Sequence, residues 1–113
     1  MNEDKELLEL AAKAAGYKLE WDDKEARIPV VVGPDVYSYW NPLTDDGDAL
    51  RLAVKLKIDM EFGYRGVDAN YYDSEKEGYT IKTRELFEDF TDPYAATRRA
   101  ITKAAAEIGR GME

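Results

Sequence analysis

The sequence predicts an α/β domain of the α+β kind, with helices packed on an antiparallel sheet in the order α-β-β-α-β-β-α, a sandwich-like arrangement. Three observations lead there. Apolar residues recur at helical spacing in three segments, apolar and polar residues alternate in the stretches between them, and turns rich in glycine, proline and aspartate separate the two patterns. At 113 residues the chain has the length of one domain with one hydrophobic core, so residues 1–113 are read as a single unit.

The first helix is expected from Glu3 to Ala15, where Leu7, Leu8, Leu10, Ala11, Ala14 and Ala15 share a face. Asn2 or Asp4 would cap it and Gly16 would end it. Tyr17 to Trp21 alternates as a short strand, and the charged residues Asp22-Asp23-Lys24-Glu25 make a turn. A second strand, Ile28-Pro29-Val30-Val31-Val32, is β-branched, with Pro29 confined to an edge or to the first positions of a strand. Gly33-Pro34-Asp35 turns the chain again, and Val36 to Trp40 is either another short strand or an extended approach to the next helix.

The second helix has its apolar face on Ala49, Leu50, Leu52, Ala53, Val54 and Leu56, with Thr44 or Asp45 as cap. Beyond Lys57, Ile58, Met60 and Phe62 alternate with Asp59 and Glu61 as a half-buried strand. Val67 to Gly78 is polar and tyrosine-rich and reads as a long hairpin loop, with Tyr79, Ile81 and Thr83 on the return strand. The patch Leu86, Phe87, Phe90 leads to Asp92-Pro93, a cap followed by proline at the first helical position. The third helix then runs to Ile108 and stops at Gly109.

Composition excludes much chemistry. With 44% apolar and 12% aromatic residues the chain can fold without staples, and with no cysteine and no histidine it has no disulfide, thiol nucleophile or histidine-based triad, and few ways to bind zinc. No apolar run approaches the roughly 18 residues of a membrane span, and Met1-Asn2-Glu3-Asp4-Lys5 lacks the features of a signal peptide, so the expected location is the cytoplasm. Twenty-four acidic against sixteen basic side chains give a net charge of −8. That balance disfavours direct binding to nucleic acid or anionic lipid and points to a protein partner with a neutral or basic surface.

Asp45-Asp46-Gly47-Asp48 invites a calcium reading, yet aligning Gly47 with the invariant glycine of an EF-hand loop puts Pro42 and Ala53 at ligand positions, where neither can serve. These aspartates are instead suited to the positive end of a helix. Carboxylate pairs such as Asp22 with Asp23 or Asp45 with Asp48 are expected by chance in so acidic a chain. With no histidine, nucleophile motif or glycine-rich phosphate loop beside them, the expectation is a protein that is not an enzyme and uses no cofactor or metal.

Two local features remain as candidate binding sites. Tyr64, Tyr71, Tyr72 and Tyr79, mixed with Asp68, Asn70 and Asp73, have the composition of a recognition surface, because tyrosine offers a large contact area and a polar tip. Tyr71 and Tyr72 would project from an exposed loop. Arg98, Arg99, Lys103 and Arg110 gather on the third helix, where they form either a solvated face or a cradle for an acidic ligand.

The stretch from Trp40-Asn41-Pro42-Leu43-Thr44-Asp45-Asp46-Gly47-Asp48-Ala49 to Leu56, with Tyr94-Ala95-Ala96-Thr97-Arg98-Arg99-Ala100-Ile101 through Ile108-Gly109, resembles the phage ABA-sandwich domain family of small tailed-phage and prophage proteins. The resemblance implies a sandwich fold and a phage origin, hence a host bacterial cytoplasm, and it implies no activity. The expected function is a phage accessory protein that binds a host or phage protein, with inhibition of a bacterial defence system of the CRISPR type as one use of an acidic surface. Association of two copies as a homodimer is left open. The alternative is a small-ligand protein holding a nucleotide or metabolite between the tyrosines and the basic helix.

Overall fold

The computed structural model describes residues 3–22, 28–34 and 36–112. Helices do pack on antiparallel sheet, but the order is α-β-β-β-α-β-β-β-α and the six strands form two three-stranded antiparallel sheets.

Helix α1 (Glu3–Ala15) buries Leu7, Leu8, Ala11, Ala12 and Ala15. It ends at Gly16, whose φ of 78° lies in the left-handed region, and the Tyr17 N–H returns to the Ala12 carbonyl at 2.9 Å. Asp4 sits within the first helical turn rather than capping it, and Asn2 lies outside the described residues.

The first sheet contains β1 (Lys18–Trp21), β2 (Pro29–Gly33) and β3 (Val36–Tyr39), in that spatial order. Pro29 opens the central strand, where its missing N–H costs one ladder bond while its carbonyl still accepts from the Trp40 N–H at 3.1 Å. Residues 23–25 of the charged turn and Asp35 of the next turn lie outside the described residues.

Helix α2 (Asp46–Leu56) starts where the sequence marks it. Of the two candidate caps Asp45 serves: its side chain accepts the Asp48 N–H at 2.8 Å, while the Asn41 side chain accepts the Leu43 N–H at 2.9 Å to shape the turn before it. Lys57 takes a left-handed conformation, closes the helix with bonds to the Ala53 and Val54 carbonyls, and leads directly into the next strand.

The second sheet contains β4 (Ile58–Phe62), β5 (Gly66–Asp73) and β6 (Gly78–Leu86). Residues 67–73, expected in a loop, are instead the middle of this sheet, paired with β4 on one side and β6 on the other. Val67 and Ala69 point into the core while Asp68 and Asn70 point to solvent, an alternation blurred in sequence by the small Ala69 and by a bulge between Tyr71 and Tyr72. The true turn is short. Asp73 accepts the Glu75 N–H at 3.0 Å and Glu77 adopts a φ of 54° before Gly78.

After a single tight turn at Phe87–Asp89, helix α3 (Pro93–Arg110) starts on an Asp92 cap that accepts the Ala95 N–H at 2.7 Å. The helix passes through Gly109 to Arg110. Gly109 does not stop it; a Cβ there would lie 2.0 Å from the Leu10 carbonyl oxygen, so glycine is what lets α1 and α3 touch backbone to backbone.

The core forms around α3, whose Ala96, Ala100, Ala104 and Ala105 are buried between α1 and the second sheet. Small side chains permit that close three-layer approach. The Thr83 hydroxyl of β6 donates to the Ala100 carbonyl at 3.0 Å and ties strand to helix. The first sheet joins this core through Leu19, Trp21 and Val31, and through Trp40, which meets the Tyr17 ring edge-on at 5.7 Å.

Candidate interaction surface

Among the described residues the two sheets leave four open edges, at β1, β3, β4 and β6. Unpaired backbone groups on such an edge invite another strand, and charged side chains are a usual protection. Lys18 and Glu20 lie on β1, Asp59 and Glu61 on β4, Lys82, Arg84 and Glu85 on β6. Among the described strands β3 alone supplies no charged residue to its edge: Val36, Tyr37, Ser38 and Tyr39 are all exposed, with Tyr37 at 62% and Tyr39 at 68%.

A trough runs beside this edge, between β3 and the N-terminal half of α2. One part, of about 470 Å³, is walled by Ile28, Pro29 and Tyr39 on one side and Thr44, Asp45, Asp48 and Arg51 on the other. A contiguous part, of about 320 Å³, shares Ser38, Tyr39, Trp40, Asp48 and Arg51 and continues to Tyr17 and Val31. Asp48 anchors the wall by accepting the Asn41 N–H at 3.0 Å and an Arg51 bond at 2.8 Å. The Tyr37 hydroxyl donates to Asp22, which orients its ring and pushes its pKa up to about 12 from an ordinary 10.0.

The tyrosines singled out in the sequence are separated by the fold. Tyr64 stands 98% exposed between β4 and β5. Tyr71 is half-buried at the inner end of β5, not at a loop tip, while Tyr72 is exposed and packs edge-on against Tyr79 at 5.2 Å. Asp68 is bound by Arg84 at 2.7 Å on the solvent face of the second sheet, and Asp73 shapes the β5–β6 turn. Tyr71 and Tyr72 do line a separate groove of about 510 Å³, with Lys55, Leu56, Lys57, Asp59, Ser74 and Ile108.

The basic groups of α3 are each matched by acids from other elements. Arg98 donates to Asp46 at 2.7 Å and to the Leu43 carbonyl at 2.9 Å, and Arg99 pairs with Asp4 at 2.8 Å and Glu3 at 3.5 Å. Lys103 meets the nearly buried Glu85 at 2.9 Å, and Arg110 meets Glu107 at 3.2 Å and Glu6 at 3.6 Å. These cations hold α1, α2 and β6 against α3, and none of Arg98, Arg99 or Lys103 lines the tyrosine groove.

Reading the sequence offered a short strand at Val36 to Trp40 as one of two alternatives but did not single it out as a site, because its residues carry no motif; the signal available was the absence of charge across Val36-Tyr37-Ser38-Tyr39. Among the described residues no group of three or more acidic side chains is placed to hold a metal ion, and no helix is long and apolar enough to cross a membrane. No family model matches the chain, and no curated protein and no solved structure matches it.

Proposed function

We propose that the chain is a non-catalytic binding protein that captures a protein partner, and that the trough along β3 is where it does so. The observation that carries this reading is the exposed, uncharged edge of Val36, Tyr37, Ser38 and Tyr39 beside a concave wall built by α2. Exposed tyrosines along the rim of a concavity supply contact area at low entropic cost, and the acids in its wall favour a neutral or basic partner. In the phage setting that the family resemblance implies, the partner belongs to the host or to the phage, and a bacterial defence component is one form it takes. Affinity purification from phage-infected bacterial lysate tests the reading. A specific partner should be retained by the unaltered chain and lost from a Tyr37→Ala/Tyr39→Ala variant of unchanged circular dichroism; retention of the same partner by that variant overturns it.

A second reading, capture of a small anionic ligand, is supported by the groove that brings Tyr71 and Tyr72 beside Lys55 and Lys57. Calorimetric titration with a nucleoside phosphate tests it: heat that disappears in Lys55→Ala/Lys57→Ala supports it, and no heat overturns it.

A further inference from the structure

We propose that the β3 edge takes an extended segment of another protein as a fourth strand of the first sheet, and that this segment carries lysine or arginine on the side facing α2. The proposal deepens the protein-binding reading of the same trough and rests on it.

The backbone supplies the first argument. Trp40 donates its N–H to Pro29 on β2, and Ser38 and Val36 stand opposite Val31 and Gly33. In an antiparallel ladder the residues that bond to the neighbour alternate with those that do not, so the N–H and C=O groups of Tyr37 and Tyr39 point away from β2. Two donors and two acceptors are thus offered along one open edge, at the spacing that an incoming strand matches.

The surroundings supply the second. A strand laid against β3 sends alternate side chains to opposite faces. One set enters the trough, toward Asp45, Asp48 and Arg51. The other set lies beside Tyr37 and Tyr39, whose rings share the outward face with Val30 and Val32. Val30 is itself buried, whereas Tyr37 and Tyr39, at 62% and 68% exposed, leave their rings open to a new strand's side chains.

Charge selects the occupant. Arg51 is held between Asp48 at 2.8 Å and Asp45 at 3.9 Å, two acids to one base in the wall of the trough. A second copy of the chain, itself at −8, would bring the same acids into the same trough and be repelled. A basic segment gains from each of them.

The test uses two immobilised sets of octapeptides with alternating valine, one set bearing lysine and the other glutamate at the intervening positions. The lysine set should be retained and the glutamate set not. Tyr37→Pro removes an outward N–H without touching the β2 ladder, and Tyr37→Ala removes the same ring while keeping that N–H; the proline variant should bind about fivefold more weakly than the alanine variant, the value of one backbone hydrogen bond. Tyr39→Pro against Tyr39→Ala gives the same comparison should Tyr37→Pro fail to fold. Hydrogen exchange should show the Tyr37 and Tyr39 amides slowing on addition of the lysine peptides, with the β6 edge unchanged.

Equal loss in the proline and alanine variants, with no slowing of exchange, overturns strand pairing while leaving side-chain docking in the trough intact. Equal retention of both peptide sets overturns the charge argument, and retention of neither overturns the proposal. Sedimentation that reveals a dimer broken by Tyr37→Pro assigns the edge to a second copy and overturns the stated occupant. Binding untouched by every variant defeats both this proposal and the protein-binding reading of the trough.

Discussion

The two sheets have the same number of strands and the same antiparallel pairing, yet they are used differently. The second lies under α3 along β5 and β6, its edges carry charge, and its solvent face is closed by side-chain bonds such as Arg84 to Asp68 at 2.7 Å and Tyr79 to Asp59 at 2.6 Å. The first leans on the core through Leu19, Trp21 and Val31, and leaves β3 uncharged and exposed along its whole length. A buried scaffold and an offered edge thus coexist in one small domain. Edge protection costs nothing where charge is tolerated, so its absence at one strand is informative about that strand.

The largest expected effect is at the scaffold's tightest point. Gly109→Ala places a methyl group 2.0 Å from the Leu10 carbonyl oxygen, and α1 must move away from α3 to admit it. A stability loss of about 3 kcal/mol in urea denaturation is expected. A loss under about 0.5 kcal/mol would mean that the helices slide apart freely, and the scaffold would then be no firmer than the first sheet.

Next comes the Lys103 to Glu85 pair, where the Glu85 side chain is only 12% exposed. Lys103→Ala leaves that carboxylate without its counter-charge and should cost about 2 kcal/mol, while Lys103→Met with Glu85→Leu should recover most of the loss. Both are read from denaturation midpoints. A double variant as weak as the single one would assign the effect to lost packing.

A smaller effect separates the two candidate caps at the wall of the trough. Asp45→Ala should cost about 1 kcal/mol, because its carboxylate satisfies an otherwise orphaned N–H of α2, and Thr44→Ala should cost less than about 0.5 kcal/mol. Equal losses would show Thr44 sharing the cap.

The smallest effect belongs to the open edge. Tyr37 has its pKa pushed up to about 12 by the hydrogen bond to Asp22, and Tyr79 is raised in the same direction by Asp59. A raised pKa in the folded chain means that the Tyr37 bond contributes below the ordinary value of 10.0 and is lost as pH rises from there through about 12. Ultraviolet titration should therefore show late-ionising tyrosines, with one removed by Tyr37→Phe and restored toward 10 by Asp22→Asn. A Tyr37→Phe titration curve unchanged in its late phase would show the ring unbound, and the edge less ordered than drawn.

The helices were legible because their signals are local. Leu7, Leu8 and Ala11 repeat at 3.6 residues, Asp45 and Asp92 sit where a cap must, and Gly16 supplies the positive φ that ends α1. By contrast β5 was hidden, since Ala69 gives little contrast with Asp68 and Asn70 and the bulge at Tyr71 breaks the alternation. The candidate tyrosines were correctly seen as numerous, but not that Tyr71 would pack in a strand and Tyr64 stand alone.

By itself the sequence determined the class of fold, the three helices and the caps of the second and third, and the absence of histidine and cysteine chemistry, because each depends on residues within a few positions of one another or on composition. Tertiary structure decided the rest. Arg98 meets Asp46 from 52 positions away and Arg99 meets Asp4 from 95, which turned a basic face into internal fastening. It also decided that β3 would be an edge, since the trough joins Ile28 and Pro29, Ser38 to Asn41, and Thr44 to Arg51. Whether a strand is covered depends on what the chain places beside it, and that is a property of packing between distant segments, not of the strand's own residues.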